Sequence, residues 1–518
     1  MKKFGFSFLF LFLALFVHAQ LPEDALRMSY FHPTGTARQQ SIGGAMGSLG
    51  GEVSSLFVNP AGLGLIKTRE LVFSPGWSFS NNTSTYLSTS TKSAPSNRFV
   101  IGTSGIVYGM PESRDENGKT SSMTLALGVN RMADFNGHLS YQGNNTFSSA
   151  AEAYAEEFNS NPQPIDQAIR NPYYSYGTRM ALYTYLIDTA NGSTGANVVQ
   201  PLNAFASNGQ IGQLNNISTS GGATEIALGI AGQSNDKWYW GLSVGVPIIN
   251  YQQNSEYTES DLSGDLHNNF GSYTYTESYS SSGVGVNARI GGIFRPNLNW
   301  RAGLTVVTPT FYSLTDRVSS TMTTNTEDYA GTQTVTSAEL DQAAGVGNSI
   351  EYNLQTPWRL IASGSYIFPG QQTKGSMGFI TADIEYIAYR SSRFSLPADD
   401  NGYSDDSYYQ PLNNTVKSYY KNSFTFRMGA EYKLDQLALR AGGSYTMDPY
   451  ASGQLNSNRS TIGGGIGYRK SGIYIDVAYV QSFLNDVSIP YRLSSKDNVF
   501  ATVKQTTGNI LLTVGYKF

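Results

Sequence analysis

Cysteine is absent from all 518 residues, which excludes disulfide scaffolds, thiolate zinc sites, catalytic thiols and a lipid anchor on an N-terminal Cys. Charge is scarce too. Asp, Glu, Lys and Arg make up 14% of the chain, against about a quarter in an ordinary soluble domain. The 34 basic and 38 acidic residues leave a net charge of -4, so no basic footprint for nucleic acid is present. Beyond Gln20 no apolar run reaches the roughly 18 residues of a spanning helix. Of the four histidines, His18 precedes the mature chain, and His32, His138 and His267 fall in an N-terminal segment and two loops. None sits on a strand beside a nucleophilic Ser and none has metal-ligand spacing, so neither an enzyme nor a metal or other cofactor is expected.

What the chain has instead is 54 Gly, 35 Tyr and 26 Phe, a balance suited to β-structure with a lipid-facing side and polar loops. Lys2 and Lys3 precede an apolar stretch from Phe4 to Val17, and Val17-His18-Ala19 offers small residues to a signal peptidase. Residues 1–19 therefore read as a secretory signal peptide cleaved after Ala19. Its loss takes two Lys and no acid, moving the net charge from -4 to -6. An exported chain with many strands and no spanning helix is soluble outside the cytoplasm or a barrel in an outer membrane.

Patterning separates the two. Ile510, Leu512, Val514, Tyr516 and Phe518 alternate with Asn509, Leu511, Thr513, Gly515 and Lys517, and Phe424 to Lys433, Ile380 to Ala388 and Ile473 to Tyr479 repeat the period of two. Fourteen such segments are read between 71 and 518. Short turns, such as Gln233 to Lys237 and Arg469 to Ser471, alternate with long connections at 136–223, 252–276, 316–349, 391–419 and 483–503. An even number of strands with short turns at one end and long loops at the other is the signature of an all-β, 14-stranded antiparallel transmembrane β-barrel. Aromatic girdles are expected from Trp77, Phe79, Trp238, Trp240, Trp300, Tyr312, Trp358, Tyr366, Phe368, Tyr445 and Tyr479. The terminal Phe518 is the feature that barrel-insertion machinery would read. The roughly three domains implied by length become one barrel, 69–518, preceded by residues 20–68.

That N-terminal segment does not alternate. Ser41 to Gly51 is rich in glycine and leads to Asn59-Pro60-Ala61-Gly62-Leu63-Gly64. No Gly-Lys-Ser/Thr follows, so a phosphate cradle is excluded. A barrel of fourteen strands is wider than side chains alone can fill, and this segment is the natural filler. On Arg38 to Gly51, the Asn59-Pro60-Ala61 signature, the strand Gly241 to Pro247 and the stretch Thr308 to Leu314, the chain resembles the FadL/TodX family of outer-membrane long-chain fatty acid and hydrocarbon transporters, in the branch found in the Bacteroidetes. The resemblance implies an N-terminal hatch in the lumen and passive transport of hydrophobic compounds, long-chain fatty acids foremost, with lateral exit into membrane lipid through a kinked third strand. Gly128, Arg131 and Asp134 are the residues expected at that opening.

Arg289, Arg301, Arg359, Arg427 and Arg440 fall on inward faces with Asp383, Glu385, Glu431 and Asp476, and are expected to pair with one another or with the hatch. In-strand prolines 75, 247 and 309 are expected to mark bulges. Helix is expected in one connection, 136–223, over Ala150 to Phe158 and Tyr176 to Ile187. There Met180, Leu182, Tyr183 and Leu186 are expected to capture an apolar ligand, or to pack as a lid or meet a protein partner. The alternative to transport is a structural or docking barrel in an outer-membrane secretion or assembly complex, with loops that bind protein.

Overall fold

A strand crossing hydrocarbon has no water to satisfy its backbone, so each of its edges has to be paired and the sheet has to close. The computed structural model, which describes residues 22–30, 34–114, 119–189, 198–202, 210–369, 377–398, 407–453 and 457–518, closes in this way. The expected signal peptide and its cleavage site lie outside the described residues. The barrel strands are β1 (Arg69–Phe73 and Pro75–Tyr86), β2 (Ser96–Ile101 and Ser104–Gly109), β3 (Thr120–Asp134 and Gly137–Asn145), β4 (Ile211–Ser234), β5 (Trp238–Asp261), β6 (Ser272–Phe294) and β7 (Trp300–Val307 and Phe311–Asn325). They continue as β8 (Ser349–Gln355 and Arg359–Phe368), β9 (Gly378–Ile387 and Arg393–Ser395), β10 (Ser423–Leu434), β11 (Leu437–Thr446), β12 (Arg459–Lys470), β13 (Ile473–Ser488) and β14 (Ala501–Lys517). Neighbours are antiparallel throughout, and β14 returns to β1 in the register Glu70↔Lys517 and Gly76↔Leu511. The result is the expected closed, fourteen-stranded barrel. Phe518 belongs to the seam: its N–H donates to the Arg69 carbonyl at 3.0 Å.

The outer face carries the lipid signature. On β5, Trp238, Trp240, Leu242, Val244, Val246 and Ile248 point outward and are exposed, while Tyr239, Gly241, Ser243, Gly245, Pro247 and Ile249 point inward. Those outward residues span a tilted height of about 25 Å, the apolar band of an outer-membrane barrel. Trp238 packs on Phe294 (4.3 Å between ring centroids) and Trp300 on Tyr366 (4.8 Å) at the short-turn rim. Tyr312 departs from the expected girdle. It points inward and is buried, because β7 restarts after Pro309 with its even-numbered residues facing the lumen.

Prolines sit at interruptions. Pro75 follows the break in β1, Pro309 lies in the break of β7, and the β5–β6 pairing skips from Gly245↔Asn287 to Ile248↔Val284 around Pro247. The strands β4 to β6 run for 23 or 24 residues, well past the expected boundaries. Above the band both faces of these strands are polar, as in Asn250, Gln252, Asn254 and Glu256 outside and Gln253 and Ser255 inside, so alternation ceases while pairing continues. Much of 211–223 and 252–276 is therefore strand, not loop.

The long connections form a cap. Helices α4 (Ala150–Ser160) and α6 (Tyr176–Tyr183) occur where helix is expected, with α5 (Ile165–Arg170) between them. Two further helices, α7 (Ser337–Ala344) and α8 (Gln410–Tyr419), correct the expectation that 136–223 is the one helical connection. Thr336 and Glu339 form a reciprocal capping box at α7.

Inside the barrel run α1 (Pro22–Arg27), α2 (Ala37–Ser41), α3 (Ser55–Val58) and a 3-10 turn at Pro60–Leu65. The segment 34–66 is almost wholly buried, and it touches the wall at backbone distance where the wall has glycine. A Cβ on Gly303 would lie 2.4 Å from the Gly47 carbonyl oxygen, and one on Gly442 would lie 2.3 Å from the Ile42 carbonyl carbon. Gly303→Val should lower stability by about 1–3 kcal/mol through overpacking and raise hydrogen exchange in residues 42–51, with barrel content by circular dichroism unchanged. Unaltered exchange there would contradict the contact.

Candidate functional site

The lumen is organised by ion pairs that join the wall to the N-terminal segment. Arg440 on β11 donates to Glu431 on β10 (2.6 Å) and to Asp476 on β13 (2.6 Å). Arg38 of α2 pairs with the same Glu431 at 3.3 Å. Asp383 on β9 accepts the Gly47 N–H at 3.0 Å, and Arg301 on β7 donates to the Leu49 carbonyl. Higher up, Arg289 makes a two-pronged contact with Glu225 (2.8 Å each). Glu385 is shared by Arg427 and, at 3.5 Å, Arg359. These are the expected inward charges, paired as expected.

Asn59, Pro60 and Ala61 act together as a staple. The Asn59 side-chain N–H donates to the Gly47 carbonyl (2.5 Å) and the Gly292 carbonyl (3.3 Å), and its Oδ1 accepts the Ala61 N–H at 3.1 Å, starting the 3-10 turn. A Cβ on Gly241 would meet the Pro60 carbonyl carbon at 2.3 Å, and one on Gly291 would meet Asn59 Oδ1 at 1.9 Å. One tripeptide thus ties both halves of the N-terminal segment to β5 and β6.

The three residues expected at the opening of β3 part company. Gly128 lies in continuous ladder, opposite Gly105 on β2 and Ala227 on β4, and its bare Cα lets Leu56 and Phe57 of α3 pack against the strand. It is not at a kink. Arg131 and Asp134 lie beside irregularities of the strand. Pairing of β2 with β3 runs from Gly109↔Thr124 to Ser104↔Val129 and then stops. On the other edge the β4 register shifts between Ala223 and Thr224, leaving Met132 as the extra residue of a bulge. The strand breaks again at Phe135 and Asn136.

Side chains take over where the ladder ends. Thr103 donates to Asn130 Oδ1 at 2.8 Å, and Arg98 of β2 reaches across to the Asp134 carboxylate and the Asn136 carbonyl (2.9 Å). Arg131 turns the other way, to Thr224 Oγ1 (3.2 Å) and the Gly221 carbonyl (2.9 Å). A cavity of about 70 Å³ follows this break, from Gln40 and Leu511 in the lumen to Arg98, Arg131 and Asp134 at the wall. Above it, Asn82 donates to the His138 carbonyl and Ser84 to the Ser140 carbonyl, each at 2.6 Å, so the wall is joined again.

Met180, Leu182 and Leu186 are buried in the core of the cap itself, with Phe158, Met322 and Leu340. The expected capture site is corrected: these side chains hold helix to helix and helix to barrel, and among the four only Tyr183, 45% exposed, meets solvent. His138 lies on the upper part of β3, which corrects its expected place in a loop, and contacts Ser218 of β4 (3.2 Å), while His267 contacts Asp328 in an outer loop.

A closed barrel with an apolar outer band, a lumen occupied by its own N-terminal segment and a wall interrupted between two strands defines the architecture of a plugged transmembrane β-barrel. The fold is FadL-like. A FadL homologue of Pseudomonas aeruginosa is similar at 12% identity and a TM-score of 0.50, with 94% of this chain and 99% of that one covered. The toluene transporter TodX of P. putida is similar at 14% identity and a TM-score of 0.50, over the same shares. No family model matches the sequence, and no curated protein is similar to it by sequence.

Replacing Arg440 by Met leaves Glu431 and Asp476 buried without their shared cation. Removing one partner of such a set costs about 3–5 kcal/mol, so urea unfolding in detergent should shift to markedly lower concentration. A shift no larger than that of an exposed Arg317→Met control would mean the cluster is not structurally important.

Proposed function

We propose that this protein passes hydrophobic compounds passively across an outer membrane. Residues 20–68 serve as the hatch, and exit is lateral, between β2 and β3. The single observation behind this reading is the interrupted ladder above Val129, with a cavity running from the lumen to the gap. An unpaired stretch of backbone at membrane depth is costly unless it lines a passage or is covered by protein. The same gap favours transport over a purely docking barrel. Arg131 and Asp134 border the exit, whereas Gly128 seats the hatch below it.

We propose long-chain fatty acids as the cargo, with the carboxylate head received in the middle lumen. A cavity of about 150 Å³ above the hatch is lined by Arg289, Arg359 and Arg427 against Glu225 and Glu385, an excess of one positive charge that suits a carboxylate head. The solved relatives in fold include a toluene transporter, so an apolar body is the shared requirement. The signal peptide cleaved after Ala19, insertion guided by Phe518 and the Bacteroidetes-type resemblance of the Asn59-Pro60-Ala61 region complete the reading.

The absence of Cys provides a clean background for a test. In an Arg98→Cys/Asp134→Cys variant reconstituted into vesicles, uptake of a fluorescent fatty acid should equal or exceed that of the wild type. Bridging the pair with a short bismaleimide should cut uptake at least tenfold, while each single-Cys variant treated alike keeps it. Full uptake through the bridged protein would refute lateral exit at this gap.

A further inference from the structure

Above the apolar band, the outward residues of β6 are Ser278, Ser280 and Ser282 and those of β7 include Ser313 and Ser319, so the inner wall here stands clear of lipid. Between it and α4, α6 and α7 lies a cavity of about 410 Å³. Tyr154, Tyr174 and Tyr176 of the cap line one side, and Tyr275 and Tyr279 of β6 the other. Glu277 sits between the last two. Its Oε2 accepts the Tyr275 hydroxyl at 2.9 Å; among the described residues no Lys or Arg pairs with it and Oε1 accepts no hydrogen bond.

The same carboxyl lines a second cavity of about 650 Å³. This one follows a single register row across the inner wall, Leu139↔Ile217, Ile217↔Ser255, Ser255↔Glu277 and Glu277↔Ser320. Glu277 is the one charged side chain of that row, between Ser255 and Ser320. Around the first cavity, Asp316 accepts the Tyr279 hydroxyl at 2.9 Å, and Asp341 accepts the Tyr176 hydroxyl at 2.6 Å and faces Arg179 at 3.5 Å. Asp341 is thus matched by Arg179, and Arg27 stands 6.0 Å from the Tyr279 ring, which leaves Glu277 as the carboxyl of this lining that has no Lys or Arg beside it among the described residues. Burial without a counter-charge pushes the Glu277 carboxyl above the usual range. Around Glu277 the wall is therefore short of positive charge beside the electron-rich faces of Tyr154 and Tyr275, the environment that attracts an organic ammonium.

We propose that the space between the cap and the β6–β7 wall is a binding site for an apolar compound bearing a protonated amine, the ammonium held by Glu277 and the rings of Tyr154 and Tyr275. The site differs in sign from the arginine-rich lumen below and sorts ligands by head group before they reach the hatch. It rests on the channel reading for the apolar body of the ligand, while its test is binding rather than transport, so either can fail without the other.

The full chain in lipid nanodiscs is titrated calorimetrically with 4-phenylbutylamine, 4-phenylbutanol and 4-phenylbutanoate at pH 7. The amine is expected to bind at least tenfold more tightly than the carboxylate. Glu277→Gln, which keeps the shape and removes a buried charge, should weaken the amine at least tenfold and leave the alcohol within twofold. Equal binding of amine and carboxylate by the wild type, no amine binding, or unchanged amine affinity in Glu277→Gln each overturns the proposal. The wild-type comparison needs no variant to fold.

Discussion

The demand that every backbone N–H and C=O within hydrocarbon find a partner underlies the rest of this structure. It closes β14 onto β1 through a register that reaches the last residue. It also confines prolines 75, 247 and 309 to points where pairing lapses on at least one edge. Against that rule the interruption between β2 and β3 stands out. There the ladder gives way to Asn130, Thr103, Arg98 and Asp134, side chains that can separate without breaking a row of backbone bonds.

The N-terminal segment obeys a second constraint, set by width. Fourteen strands enclose more space than wall side chains fill, and the segment fills it by lying directly on the wall's backbone. Gly241, Gly291, Gly303 and Gly442 leave the clearance, since a Cβ at any of them would fall within 2.4 Å of a segment atom. The buried charges then complement the fit: Arg38 and Arg440 converge on Glu431, and Asp383 holds the Gly47 N–H. Shape and charge together make the segment part of the lumen rather than a loose filler, which leaves the middle of the barrel positive and its capped end negative.

Within the lipid band the strands were legible because lipid requires every outward residue to be apolar, as Phe424, Phe426 and Met428 are. Above it the requirement lapses. Ser278 faces water and Ser281 the lumen, so the upper halves of β4 to β6 carry no alternation and read as loop. The helices of the cap show a related ambiguity. Met180, Leu182 and Leu186 make an apolar face that suits either a ligand or a core, and it was the core. For the β3 opening, Gly128 offered the composition of a kink but serves close packing on Leu56, whereas Met132, the bulged residue, has no local signature at all.

Strand number, closure and the inward placement of the arginines were therefore determined by the sequence, since solvent acts on each residue type one position at a time. Which inward charges meet, where the wall parts, and that Glu277 stands among tyrosines from β6 and from a cap more than a hundred residues away were decided only by tertiary structure. Those relations depend on register between strands and on the docking of the cap, which no period along the chain encodes.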